Sequence, residues 1–210
     1  MIRIKICGIT NLEDARIASD LGADALGFVF YEKSPRHVSR DLARKIVASL
    51  PPFTTPVGLF VNESPINIRE TVEYCNLQAI QLHGEESPEL CDQLKGLKII
   101  KAIRVIDREG LREIDNYRVS AILLDTYSKK SYGGTGRSFD WKILTGIGTI
   151  SNLILAGGLT PGNVSEAIRT VNPYAVDVSS GVEKKPGKKD LKKIKEFIKV
   201  VKLSTKTGDN

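Results

Sequence analysis

Apolar and polar positions along this chain follow two rhythms in turn. Short runs of period two, such as Ile2-Arg3-Ile4-Lys5-Ile6-Cys7, give way to stretches where apolar residues recur every three or four positions. The first rhythm predicts strands over residues 2–7, 25–30, 56–61, 79–83, 98–103, 120–125, 152–156 and 175–178. The second predicts helices between them, and their starts carry local signals. Thr10 and Glu13 have capping-box spacing, Ser39 is placed as an N-cap, and Ser64-Pro65, Ser87-Pro88 and Thr160-Pro161 each set a cap before a first-turn proline. Gly22 and Gly96 fall where helix C-termini are expected. Eight strand–helix repeats without a break in composition predict an α/β chain, a single-domain (βα)8 (TIM) barrel over residues 1–203 with a polar tail over 204–210. An open doubly wound sheet is the alternative.

A barrel of this kind carries its chemistry at the C-terminal ends of its strands. Period-two alternation turns Ile2, Ile4 and Ile6 toward the helices and Lys5 and Cys7 inward, with Cys7 at the barrel mouth. The same alternation turns Gln81 and His83, Leu123 and Asp125, and Asp177 and Ser179 inward. Cys7 and Asp125 are therefore candidates for proton transfer. A buried packing thiol and a carboxylate that caps its loop are the plain alternatives, and spacing alone does not separate the two for Asp125. As a base Cys7 needs its pKa lowered, and Lys5 on the same face is one source. As an acid Asp125 gains from desolvation at the barrel edge. Strands one and eight become neighbours when a barrel closes, which pairs Asp177 with Lys5. His83 reads first as a hydrogen-bonded core histidine, and Cys75 and Cys91 as packing residues.

Two loops have the character of phosphate cradles: Gly157-Gly158-Leu159 after the seventh strand and Ser179-Ser180-Gly181 after the eighth. The loop after the sixth strand is long and holds Gly133, Gly134 and Gly136. Nothing matches a P-loop or dinucleotide fingerprint, and no histidine or carboxylate cluster has metal-ligand spacing, so no metal is expected.

Composition narrows the function classes. With 41% hydrophobic and 27% charged residues the chain is globular, and no apolar run is long enough for a membrane span. Three cysteines without C-x-x-C spacing fit a reducing cytoplasm. The net charge of +6 invites a nucleic-acid reading, but residues 184–210 hold ten lysines against three acids, while the other 183 residues carry a net charge of −1. Leu191, Ile194, Ile198 and Val201 at helical spacing, with lysines between them, predict a solvated amphipathic helix there. Neither a nucleic-acid nor a membrane partner is expected.

With those residues in place the chain resembles the phosphoribosylanthranilate isomerase family. The resemblance rests on KICGIT at 5–10, GFVF with SPR at 27–36, VGLFVN at 57–62, QLHG at 81–84, LLD at 123–125, GGTG with FDW at 133–141, LAGGLTP at 155–161 and DVSSGVE at 177–183. It implies a cofactor-free Amadori rearrangement of N-(5-phosphoribosyl)anthranilate in tryptophan biosynthesis. It assigns the general acid to Asp125 and the base to Cys7. It also places Arg36 at the anthranilate carboxylate, Asp177 at a sugar hydroxyl, and Gly157, Gly158, Ser180 and Gly181 at the phosphate. The partner implied is a phosphorylated small molecule, and the chain is expected as a monomer or homodimer, with exposed apolar residues such as Phe53 marking either an interface or local packing. The alternatives are the histidine-pathway isomerase of the same fold, which typically uses two aspartates, a basic nucleic-acid-binding protein, and a catalytically inactive barrel kept for binding.

Overall fold

A computed structural model describes residues 1–105, 109–125, 141–144 and 152–204. Eight parallel strands close into a barrel in sequence order: β1 (Arg3–Cys7), β2 (Ala25–Val29), β3 (Thr55–Phe60), β4 (Ala79–Leu82), β5 (Ile99–Arg104), β6 (Ala121–Asp125), β7 (Leu153–Ala156) and β8 (Ala175–Val178). Closure sets Lys5 of β1 opposite Asp177 of β8 in register. Strand boundaries agree with the sequence pattern to within a residue, because each strand centres on a short run rich in apolar residues.

The helices are α1 (Leu12–Asp20), α2 (Arg40–Val47), α3 (Pro65–Cys75), α4 (Pro88–Gln93), α5 (Val164–Val171) and α6 (Leu191–Ser204). Ser39, Ser64 and Ser87 cap α2, α3 and α4 by accepting from the backbone N–H three residues on. Two expected starts differ. Asn11, not Thr10, caps α1 through Asp14 N–H, while the Thr10 hydroxyl donates to the Gly187 carbonyl. Thr160-Pro161 opens a turn, and α5 begins three residues later at Val164, because the Asn163 side chain accepts from Thr160 N–H and ties that turn down. After β5 the chain forms a 3₁₀ helix, Glu109–Asn116, where Leu111 and Ile114 three apart share one face.

The main apolar core lies between barrel and helices, and Ile4 and Ile6 of β1 are buried in it as the alternation predicted. Each such side chain contributes about 1.5–3 kcal/mol on burial. The barrel interior is smaller and mixed: Leu123, Ile154 and several alanines fill its lower part, while Lys5, Gln81 and Asp177 are buried nearer the mouth. Helix α6 packs through Ile194, Phe197, Ile198 and Val201; Leu191 is exposed, against expectation, because it lies in the first turn before the helix settles on the barrel. Lys192, Lys193, Lys195, Lys199 and Lys202 face solvent. The lysine-rich end is not uniformly solvated, however. Lys189 is buried in a two-stranded ribbon, β9 (Glu183–Lys185) with β10 (Lys188–Lys189), that lies beside the barrel mouth. Among the described residues no helix is long and apolar enough to cross a membrane.

Candidate active site

A cavity of about 350 Å³ opens at the C-terminal ends of the strands. Cys7, Arg36, His83, Asp125 and Asp177 line it, as do Gly157, Gly158 and Ser180. Cys7 reaches it because its register partner on β2 is Gly27, where a Cβ would lie 2.7 Å from the sulfur. Gly8 then turns with φ +79°, and its missing Cβ leaves room for the Arg36 stem. Gly133, Gly134 and Gly136 lie outside the described residues.

A chain of hydrogen bonds crosses the mouth. The Lys5 ammonium donates to Asp177 Oδ2 at 2.9 Å and to Gln81 Oε1 at 2.8 Å. The Gln81 amide nitrogen lies 2.7 Å from His83 Nδ1, and His83 Nε2 lies 3.2 Å from Asp125 Oδ2. Lys5 and Asp177 are both buried, and their pairing keeps the lysine charged: burial pulls its pKa down, yet the Asp177 charge raises it overall. Asp177 thus has two faces. One oxygen holds Lys5, while the other, like the Ser179 hydroxyl, is buried with no partner among the described residues. Two unsatisfied polar atoms at one cavity mark places where a ligand's polar groups offset a desolvation cost. The Asp125 side chain stays 26% exposed, so the barrel edge desolvates it only in part.

The Cys7 thiol departs from expectation. Burial pushes it up, and the Lys5 and Lys189 charges pull it down without overcoming that. With Lys5 paired to Asp177 and the sulfur buried, the thiol form is favoured.

On the far wall, Gly157 and Gly158 take φ of +85° and +63°, a left-handed pair that turns the backbone toward the opening. Gly181 does not line the cavity. A Cβ on it would sit 1.9 Å from the Leu159 carbonyl oxygen, so glycine there lets the loops after β7 and β8 abut.

Arg36 is already engaged. Its Nε and Nη2 donate to the two oxygens of Glu183 at 2.9 and 2.7 Å. Glu183 also accepts from Lys189 at 3.0 Å, and the Lys189 ammonium donates onward to the carbonyls of Cys7 and Ser179. Burial raises the Glu183 carboxyl, but Arg36 and Lys189 outweigh it and hold the carboxyl below its ordinary range.

Residues 4–200 match the family model for N-(5'phosphoribosyl)anthranilate (PRA) isomerase. The chain belongs to this family. A curated N-(5'-phosphoribosyl)anthranilate isomerase of Geobacter sulfurreducens is 55% identical over 202 residues, covering 96% of this chain and 99% of that one. A solved phosphoribosyl anthranilate isomerase in complex with reduced 1-(o-carboxyphenylamino)-1-deoxyribulose 5-phosphate superposes with a TM-score of 0.89 at 48% identity, covering 97% and 100%. A third relative, from Thermotoga maritima, is a structure of monomers generated from a dimeric phosphoribosylanthranilate isomerase, with a TM-score of 0.88 at 47% identity and the same coverage.

Within this phosphoribosylanthranilate isomerase fold, the structure gathers Cys7, Arg36, Asp125, Asp177, Gly157, Gly158 and Ser180 at one cavity. Sequence reasoning missed Glu183 and Lys189 as the support for Arg36 and Cys7. Glu183 stands inside the DVSSGVE motif, which was the available signal, whereas Lys189 is one of ten C-terminal lysines and nothing local distinguishes it.

Proposed function

We propose that the chain converts N-(5-phosphoribosyl)anthranilate into 1-(2-carboxyphenylamino)-1-deoxyribulose 5-phosphate, the Amadori step of tryptophan biosynthesis. The observation that carries this reading is the meeting of a thiol and a carboxylate at one cavity that also holds two buried polar atoms without partners among the described residues. Asp125 in its acid form gives its proton to the furanose ring oxygen; the C1–O bond breaks and the anthranilate nitrogen supplies the electron pair that makes the protonated Schiff base. Cys7, as thiolate, takes the proton from C2. The bonding pair left behind forms the C1–C2 double bond and neutralises the nitrogen, and the resulting enolamine becomes the ketone as C1 gains a proton and the C2 hydroxyl loses its own, so that the isomerisation takes up no net proton.

Burial pushes the Cys7 thiol up while the Lys5 and Lys189 charges pull it down, so those two ammonium groups are what favours the thiolate this step uses. Asp177 holds a sugar hydroxyl with Oδ1 while Oδ2 keeps Lys5. Arg36 meets the anthranilate carboxylate with its end-on edge, Nη1 and the second N–H of Nη2, the side-on edge being held by Glu183. The amides of Gly157, Gly158 and Ser180 on the cavity wall hold the phosphate, with the Gly181 amide behind Ser180 completing the cradle and its missing Cβ bringing the two loops together. The three free cysteines suit a reducing cytoplasm. We also propose a homodimer. Phe53, 95% exposed on the loop before β3, sits at the opposite end of the barrel from the site, so an interface there leaves catalysis clear.

The test generates the substrate in situ from anthranilate and phosphoribosyl pyrophosphate with a transferase and follows its fluorescence. Wild type consumes it, and Cys7→Ala and Asp125→Asn each lose roughly 10²–10⁴-fold in kcat while still binding a phosphorylated ligand. Near-normal turnover in either variant removes that residue from its role.

A further inference from the structure

We propose that His83 is a positioning residue for Asp125: hydrogen bonding from Lys5 through Gln81 sets the neutral imidazole as the Nε2–H tautomer, which occupies Asp125 Oδ2 and leaves Oδ1 as the oxygen that delivers the proton. The proposal rests on Asp125 being the general acid.

The argument follows from what each atom is able to do. A lysine ammonium has three donors and no acceptor, so the Gln81 atom 2.8 Å from Lys5 Nζ must be the amide oxygen. The other end of Gln81 is then NH2, a donor only, and it faces His83 Nδ1 at 2.7 Å. Nδ1 must present its lone pair, and in the neutral ring the proton therefore sits on Nε2. Nε2 in turn faces Asp125 Oδ2 at 3.2 Å, where a donor meets an acceptor.

Each link is held from behind. Gln81 is fully buried, so water does not replace a partner it loses, and flipping its amide would set NH2 against a buried ammonium. Lys5 is fixed by Asp177 from the neighbouring strand. With Oδ2 accepting from His83, a protonated Asp125 carries its hydrogen on Oδ1. A freely rotating carboxyl would spread that proton over both oxygens and several directions, whereas the imidazole fixes it in one. Lys5 comes from β1, Gln81 and His83 from β4 and the position just after it, and Asp125 from the end of β6, so this hydrogen-bond chain exists only in the closed barrel.

The chain contains only two histidines, His37 and His83, which makes the tautomer directly readable. Ring-nitrogen ¹⁵N spectra at alkaline pH, with His37→Gln to assign signals, are expected to show His83 with a protonated Nε2 and a bare Nδ1. In Gln81→Glu the ring stands between two carboxylates, so both nitrogens are expected to carry a proton at the pH where wild type shows only Nε2–H. A wild-type Nδ1–H tautomer, or an Nδ1 that stays bare in Gln81→Glu, overturns the proposal. His83→Ala is expected to lower kcat by up to about 10²-fold, as misplacement of a reacting group does. Its affinity for the reduced aminoketose phosphate should stay nearly unchanged. Affinity falling in step with kcat overturns positioning in favour of a substrate contact. An inactive wild type that keeps the Nε2–H tautomer and gains a proton on Nδ1 in Gln81→Glu would instead overturn the assigned reaction while leaving the hydrogen-bond chain standing.

Discussion

Opposite Cys7 on β2, Gly27 leaves the space that the thiol fills, since a Cβ there would approach the sulfur to 2.7 Å. Neither partner can move far, because both belong to paired strands of a closed barrel. Gly27→Ala is therefore expected to push the thiol off its position and cost about 1–3 kcal/mol through overpacking. Its kcat should fall more than its melting point suggests, and a crystal structure of the variant beside steady-state kinetics checks both. At the same scale, Cys7 shows where a reading by residue type ends. Lys5 two positions away was the evident means of lowering its pKa, yet Asp177 holds that lysine and burial dominates. The sequence places these groups on one face; it does not say which of them spends its charge on which.

Among the elements, helix starts followed short-range rules wherever the cap is a local interaction: Ser39, Ser64 and Ser87 each bond three residues ahead. The rule failed at Thr10, whose hydroxyl is drawn to Gly187 of the β9–β10 ribbon, 177 residues away. That ribbon is the element the sequence concealed. Lys189 and Glu183 form a buried cross-strand pair, and Glu183 holds Arg36 while Lys189 holds the carbonyl that ends β1 and the Ser179 carbonyl just past β8. Lys189→Met leaves the Glu183 charge with one partner fewer and is expected to cost about 3–5 kcal/mol. Removing an exposed lysine of α6, such as Lys199→Met, should stay within about 0.5 kcal/mol. Urea unfolding of the two variants separates them, and equal losses would mean that burial of the ribbon has no energetic consequence.

Over the whole molecule, stability has a defined acid limb. The Glu183 carboxyl titrates below its ordinary value of 4.5 in the folded chain, so it contributes stability that is present above about that pH and is lost as pH falls through the lower folded value. Glu183→Gln is expected to be less stable at neutral pH, with a shallower fall on acidification below 4.5, read from unfolding free energies across that range. Lys5 acts at the other end: its raised pKa contributes stability below its ordinary 10.5 that is lost as pH rises through the higher folded value. The proposed dimer would place assembly and chemistry at opposite ends of the barrel. Phe53→Glu is expected to shift the chain toward monomer in light scattering with kcat unchanged, and a monomeric wild type would dismiss the dimer.

The sequence by itself determined the eight strands, their inward and outward faces, the Lys5–Asp177 neighbourhood and the candidacy of Cys7 and Asp125. These depend on periodicity and on strand order, which closure of a barrel converts into contact. Only the tertiary structure decided that Arg36 is held by Glu183, that Lys189 is interior, that Cys7 rests as a thiol, and that Lys5, Gln81, His83 and Asp125 share one hydrogen-bond chain. Period two tells which way a side chain points, but a hydrogen bond depends on two atoms lying within about 3 Å, and desolvation depends on everything packed around them.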